Sequence, residues 1–141
     1  MHHLITLKGT PRHWRRHAWN MWTKYKLPNT VGAIDGTIVK IFNKADRNLY
    51  WSRKLKPSLN VQICMDSTRL IRYVSCFAPG SWHDRRAYRQ CSLSKSIAEG
   101  KQYFFPGACL LADNGYCGVK QVLVPIPKNY PPQASVFYQY L

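Results

Sequence analysis

The sequence predicts an α/β domain, a mixed sheet with flanking helices, and three observations carry that prediction. Short apolar runs closed by a turn recur at Val31-Gly32-Ala33-Ile34 and Leu110-Leu111-Ala112, the pattern of buried strands. Between them lies period-two alternation broken by one turn, followed by a stretch of helical character. Finally, 141 residues with 45% apolar side chains suit one domain with a single core.

Taken in order, Pro11 to Lys26 carries Trp14, Ala18, Met21, Trp22 and Tyr25 at near-helical intervals. It is a predicted helix whose tryptophans are read as core, and Leu27-Pro28-Asn29 breaks it. Thr30 to Ile34 and Ile38 to Phe42 are predicted strands on either side of an Asp35-Gly36 turn. A basic loop runs from Asn43 to Pro57 and holds Tyr50 and Trp51. Leu59, Val61, Ile63 and Met65 alternate along the next strand, Asp66 to Arg69 turns, and Leu70 to Phe77 alternates again, so the pair reads as a hairpin ended by Pro79-Gly80. Ser81-Trp82-His83-Asp84 has the form of a capping box, opening a helix from about Asp84 to Ala98 with Gly100 as its stop. Leu110 to Asp113 and Val122 to Val124 are short strands, and proline-rich coil follows. This is the chain order of a ribonuclease-H-like core, in which the first and fourth strands lie side by side.

The charge narrows the function. Lys and Arg number 21 against 6 Asp and Glu, a formal +15, and the most basic run is Arg12-His13-Trp14-Arg15-Arg16-His17. So basic a domain points to a polyanion, most simply nucleic acid, because each neutralised phosphate releases a counterion. A solvated cationic surface is the bland alternative. Aromatics at 13% and charged residues at 19% exclude a disordered polycation. No stretch approaches the roughly 18 uninterrupted apolar residues of a spanning helix, and the opening residues do not read as a signal peptide, so no membrane partner is expected. The cysteines are odd in number and lack a CxxC pair, so all five read as reduced, in a nuclear or cytosolic compartment.

The six acids are Asp35, Asp46, Asp66, Asp84, Glu99 and Asp113. Asp35 and Asp113 close the two apolar runs, each followed by a glycine within two residues. Two such strands side by side would bring two carboxylates together, a juxtaposition that a divalent cation relieves. Spacing alone equally allows both aspartates to be simple turn residues.

Four ordered blocks bear a resemblance to a known family. Leu27-Pro28-Asn29-Thr30-Val31-Gly32-Ala33-Ile34-Asp35-Gly36-Thr37 resembles the first catalytic block of PIF/Harbinger-type transposases and their domesticated nuclease relatives. Tyr50 to Lys54 with Ser58-Leu59-Asn60-Val61-Gln62 resembles their basic-loop and second-strand block. Asp66 with Pro79-Gly80-Ser81-Trp82-His83-Asp84-Arg85, and Leu110-Leu111-Ala112-Asp113-Asn114-Gly115-Tyr116, resemble the remaining two. The similarity runs in register from about Leu27 to Pro127, which divides the chain into a basic helical segment (1–26), a partial DDE nuclease domain (27–128) and a divergent tail (129–141).

The resemblance implies an Asp-Asp-Glu site in which divalent ions, Mg²⁺ or Mn²⁺, clamp a scissile phosphate of DNA. Asp35 and Asp113 are then the catalytic metal ligands. Asp84 is a further acid of the metal site or a helix cap, and His83 is a supporting or surface residue. Asp66 serves the hairpin turn. Arg53, Lys54 and Arg85 become phosphate contacts, with solvated surface cations as the alternative. Family members of this type also resemble two-component systems with a Myb-like DNA-binding partner, and a nuclear location goes with that. The departure lies after Asp113, where the third ligand should be a glutamate. Only 28 residues follow and none is acidic, so the chain reads as a truncated form with weak or no activity, and as leaving one sheet face uncovered. The competing class is a non-catalytic basic module that binds DNA or RNA.

Overall fold

The computed structural model of the chain describes residues 5, 7–42, 57–100 and 103–126. The expected basic loop, with Tyr50, Trp51, Arg53 and Lys54, and the tail from 127 onward lie outside them.

Helix α1 spans Pro11–Tyr25. Thr10 caps it, its side chain accepting the His13 N–H at 3.2 Å, and Pro11 occupies the first turn, where its missing N–H is not needed. Lys26 closes the other end in the left-handed region (φ 57), its N–H donating to the Trp22 carbonyl at 2.9 Å. Trp14, His17, Ala18 and Met21 form the buried stripe, and Trp14 meets Phe104 edge-on with ring centroids 4.8 Å apart. The tryptophans are not all core. Trp19 is turned about 140° from Trp14 around the axis, and both Trp19 and Trp22 are exposed. One stripe of a helix can face a sheet, and Trp14 sets its phase.

Five strands form one sheet: β1 (Thr30–Lys40), β2 (Ser58–Asp66), β3 (Ile71–Pro79), β4 (Cys109–Leu111) and β5 (Val122–Leu123), in the order β3-β2-β1-β4-β5. The first three pair antiparallel, while β4 lies parallel to β1 and β5 parallel to β4. The first and fourth strands are thus neighbours, and the mixed sheet with its helices has the ribonuclease-H-like arrangement. The expected turn at Asp35-Gly36 does not form. β1 runs straight through it, because β2 supplies a continuous antiparallel partner from Gly32↔Asp66 to Lys40↔Ser58. Gly36 is not among the glycines with positive φ, so nothing bends the chain there.

The parallel return from β3 to β4 passes through helices α2 (Asp84–Gln90) and α3 (Ser92–Ala98). A single helix was expected here, but Cys91 is extended (φ −73, ψ 156) and breaks it. The break has a packing reason. Tyr88 and Leu93 would stand about 140° apart on an unbroken helix, yet both are buried beside Cys91 and Ile97. Re-phasing at Cys91 turns both toward the core. That core joins Trp14, Val31, Ile34, Cys64, Tyr88, Leu93, Leu110 and Tyr116. All five cysteines are free thiols, and burial pushes the Cys64 thiol up to about 12. Among the described residues no helix is long and apolar enough to cross a membrane.

Asp66 serves the hairpin turn as expected. One carboxylate oxygen accepts from the Thr68 N–H (2.8 Å), the Thr68 hydroxyl (2.6 Å) and the Leu70 N–H (3.2 Å), and the other accepts from Arg72 Nε at 2.6 Å. The same turn holds α1 down. His17 Nδ1 lies 2.8 Å from Ser67 Oγ, and His17 Nε2 lies 3.8 Å from Asp66. Burial alone would raise the Asp66 pKa, but the Thr68, Arg72 and Leu70 donors outweigh it and bring it from 3.8 to about 2. That stabilisation is complete above 3.8 and disappears as pH falls toward 2. Burial chiefly lowers the His17 pKa, so protonation of the unfolded chain erodes stability already below 6.5. Asp66→Asn is therefore expected to lose about 2 kcal/mol at neutral pH. Urea unfolding followed from pH 7 to pH 2 checks this, because the gap between variant and wild type must close at the acid end.

Candidate functional site

β2 carries its polar residues inward. Ser58, Asn60, Gln62 and Cys64 are buried, while in the alternate set Leu59 and Ile63 are half-buried, Met65 is exposed and Val61 is buried. The period-two alternation is present, but its apolar set faces the less covered side of the sheet. Ile71 and Val74, paired with Met65 and Ile63, share that side and are exposed too.

The inward polar set forms a relay. Tyr116 donates its hydroxyl to Gln62 Oε1 at 2.7 Å, and Gln62 Nε2 donates to Asn60 Oδ1 at 2.7 Å. Asn60 Nδ2 then donates to Asp84 Oδ1 at 2.8 Å and to the Trp82 carbonyl at 3.1 Å. Burial, followed by the negative charges of Asp84, Asp35 and Asp113, raises the Tyr116 pKa. The phenol therefore stays a donor, and that fixes the direction of the chain of bonds. Neither Asn60, Gln62 nor Tyr116 carries a role in the sequence reading. The available signal was two amides in the same strand phase as Cys64 and Asp66, which no solvent-facing row requires.

Asp84 is not the acid of a capping box. His83 is the N-cap without a side-chain cap bond, Asp84 is already the first helical residue, and its carboxylate is drawn to the sheet by Asn60. Gly36 makes room for it: a Cβ there would collide with Asp84 Oδ1 and lie 2.7 Å from Gln62 Nε2. Here the absence of a side chain is a steric need. Asp84 Oδ2 lies 3.5 Å from where a Cβ on Gly115 would sit, and Asp113 Oδ1 lies 2.9 Å from the same point. Asp84 and Asp113 thus flank Gly115.

Asp113 stands in the turn after β4, where its Oδ1 accepts the Gly115 N–H at 2.9 Å and caps a 3₁₀ turn over Asn114–Tyr116. Asp35 is mid-strand in β1, and its Oδ1 accepts the Gly36 N–H at 2.8 Å. The last residue pair between β1 and β4 is Ala33↔Leu111. Asp35 and Asp113 each follow two residues later, so the parallel register carries both to the same level of neighbouring chain segments. Both are exposed, and Asp84 is half-buried. Asp35 shares its sheet side with Ile63, its partner on β2, whereas Asp84 sits over the Gly36–Gln62 side. Asp84 therefore approaches the aspartate pair from across the strand.

Arg85 is exposed and donates to the Cys117 carbonyl at 3.5 Å, and Arg89 donates to the Gly118 carbonyl at 3.1 Å. Both guanidinium groups tie α2 to the segment after Asp113. Arg53 and Lys54 lie outside the described residues. Asp66 holds the only ion pairs among the described residues, so Asp35, Asp84 and Asp113 have no cationic side-chain partner there. No group of three or more His, Cys, Asp or Glu forms a metal cage among those residues. Two exposed carboxylates at one strand level, each with an oxygen free of protein donors, nevertheless fit a hydrated Mg²⁺-type ion, which is held by one or two carboxylates with water and substrate oxygens.

Breaking the relay tests its part in the fold. Tyr116→Phe leaves the buried Gln62 Oε1 without a donor and is expected to lower stability by about 1–3 kcal/mol. Gly36→Ala forces Asp84 aside at a cost of about 1–3 kcal/mol. Chemical denaturation of both variants checks the two values.

The family described as DDE superfamily endonuclease matches residues 34–137, well over half of the chain. No curated protein and no solved structure matches it. The match covers β1 from Ile34 onward, the β2–β3 hairpin, both crossover helices and the β4 turn, and with them Asp35, Asp84 and Asp113. By this match, over a sheet with the ribonuclease-H-like strand order, the chain belongs to the DDE superfamily endonucleases.

Proposed function

We propose that the chain is a metal-dependent DNA nuclease domain of the PIF/Harbinger transposase-derived type, with Asp35 and Asp113 as its metal ligands. One observation carries the reading: two exposed aspartates stand at one level of parallel neighbours, unpaired by any described cation in a chain of net charge +15. Endonucleases of this superfamily generally use divalent metals and act on DNA. When bound, a divalent ion supplies Lewis-acid polarisation of the phosphodiester and neutralises developing charge. Asp35 and Asp113 hold it, each with one oxygen anchored by a backbone N–H and the other free. Asp84, oriented by Asn60, adds negative charge beside Asp113 and limits its movement. Arg85, together with Arg53 and Lys54, contacts the phosphates on either side of the cleaved bond.

Among the residues of this sequence no acid follows Asp113, and a site held by Asp35 and Asp113 alone turns over weakly. The domain limits 27–128, a nuclear location and a Myb-like partner for sequence recognition belong to the same reading and rest on the resemblance alone. A non-catalytic DNA-binding or RNA-binding module is the second reading. It is favoured by the engagement of Asp84 with amide donors.

Mn²⁺ binding by calorimetry and Mn²⁺-dependent nicking of supercoiled DNA separate the two. Asp35→Asn and Asp113→Asn are each expected to weaken Mn²⁺ binding by at least about tenfold and to abolish nicking. Asp84→Asn is expected to reduce nicking with a smaller effect on binding. Equal Mn²⁺ binding in wild type and both ligand variants would leave the non-catalytic module.

A further inference from the structure

A groove of about 490 Å³ opens beside α1, lined by Arg15, Trp19, Trp22, Pro28, Asn29 and Phe105. Its floor is aromatic, and the indoles are accessible: Trp19 is 63% exposed and Trp22 43%. The Arg15 guanidinium lies 5.6 Å from the Phe105 ring centroid, and Lys26 Nζ lies 5.7 Å from that of Trp22. Trp19 has no ring or cation partner among the described residues. Its free π-face shares the groove with Arg15, on a helix whose charges are Arg12, Arg15, Arg16 and Lys24, with no acid at all.

Exposed indole on an α/β surface carries a solvation penalty that packing could have avoided, and here two indoles line one groove. The surrounding charge demands an anionic occupant. Flat π-faces with interspersed cations match unpaired bases on a phosphate backbone, whereas bases in a duplex are already stacked and cannot reach an indole. We infer that the Trp19–Trp22–Phe105 groove binds single-stranded DNA, with bases stacking on Trp19 and Trp22 and Arg15 and Lys26 taking the flanking phosphates. The inference rests on the DNA-acting reading above and extends it. Asn29 precedes Asp35 by six residues of extended chain, so the groove lies about 20 Å from the aspartate pair. A strand freed at that site can be held there while its other end stays at the carboxylates.

The test is fluorescence anisotropy of the full chain with labelled oligo-dT and, separately, with a duplex of equal length, at two salt concentrations. Trp19→Ala is expected to weaken oligo-dT binding about tenfold with duplex binding and salt slope unchanged. Trp19→Phe retains a ring and is expected to recover most of the affinity, which separates stacking from a general disturbance of α1. Arg15→Ala is expected to reduce the salt slope by about one. If oligo-dT affinity is the same in wild type, Trp19→Ala and Trp22→Ala while the duplex still binds, the groove does not hold unpaired bases and serves some other occupant, such as an acidic protein segment. If the wild type binds neither DNA, the inference falls together with the DNA-acting reading.

Discussion

β1 is hydrogen-bonded on both edges, and the positions of all three candidate carboxylates follow from that pairing. On one side it is antiparallel to β2 over its whole length beyond Gly32, and on the other it is parallel to the short β4. The parallel edge brings Asp35 and Asp113 to one level although 77 residues of sequence separate them. The antiparallel edge sets Gly36 beside Gln62, which opens the space into which α2 sends Asp84. A one-residue slip on either edge would reverse the facing of every side chain on the slipped strand and separate these groups.

The relay from Tyr116 through Gln62 and Asn60 to Asp84 joins the strand holding Asp35, through its neighbour β2, to the turn holding Asp113. Tyr116, Gln62 and Asn60 are buried, so each of their polar atoms left without a partner would be costly. That cost makes the network a specification of geometry as much as a source of stability. α2 begins where its first acid meets a donor on the sheet, and the 3₁₀ turn after Asp113 closes where Tyr116 reaches Gln62. Arg85 and Arg89 fasten the outer side of the same junction through backbone carbonyls.

The electrostatics divide the described aspartates into two kinds. Asp66 is buried, saturated with donors and paired with Arg72, so its charge is spent on the hairpin turn and, through His17 and Ser67, on seating α1. Asp35, Asp84 and Asp113 have no such partner in a strongly basic chain. These three acids are the local exception to a field that otherwise attracts anions. The arrangement suits a cation at the carboxylates and a polyanion over the rest of the surface, including the open aromatic groove of α1.

Hydrophobic periodicity and turn chemistry determined the fold class, the hairpin, the helix stripe through Trp14 and the role of Asp66, because each depends on contacts close in sequence or on short apolar runs; spacing left Asp35 and Asp113 open between turn residues and metal ligands, and only the family resemblance singled them out. Tertiary structure decided the rest. Asp35-Gly36 resembles a turn locally, but a full-length antiparallel partner outweighs that preference and keeps β1 straight. The α2–α3 break at Cys91 follows from burying Tyr88 and Leu93 on one side, a demand that no local propensity encodes. Asp84 leaves its capping role because Asn60, 24 residues away, offers a donor. Trp19 and Trp22 are exposed because a helix presents only one stripe to a sheet. Strand facing on β2 is likewise invisible to a period alone: alternation reports that two faces exist, and only the layer packed against them decides which one is inside.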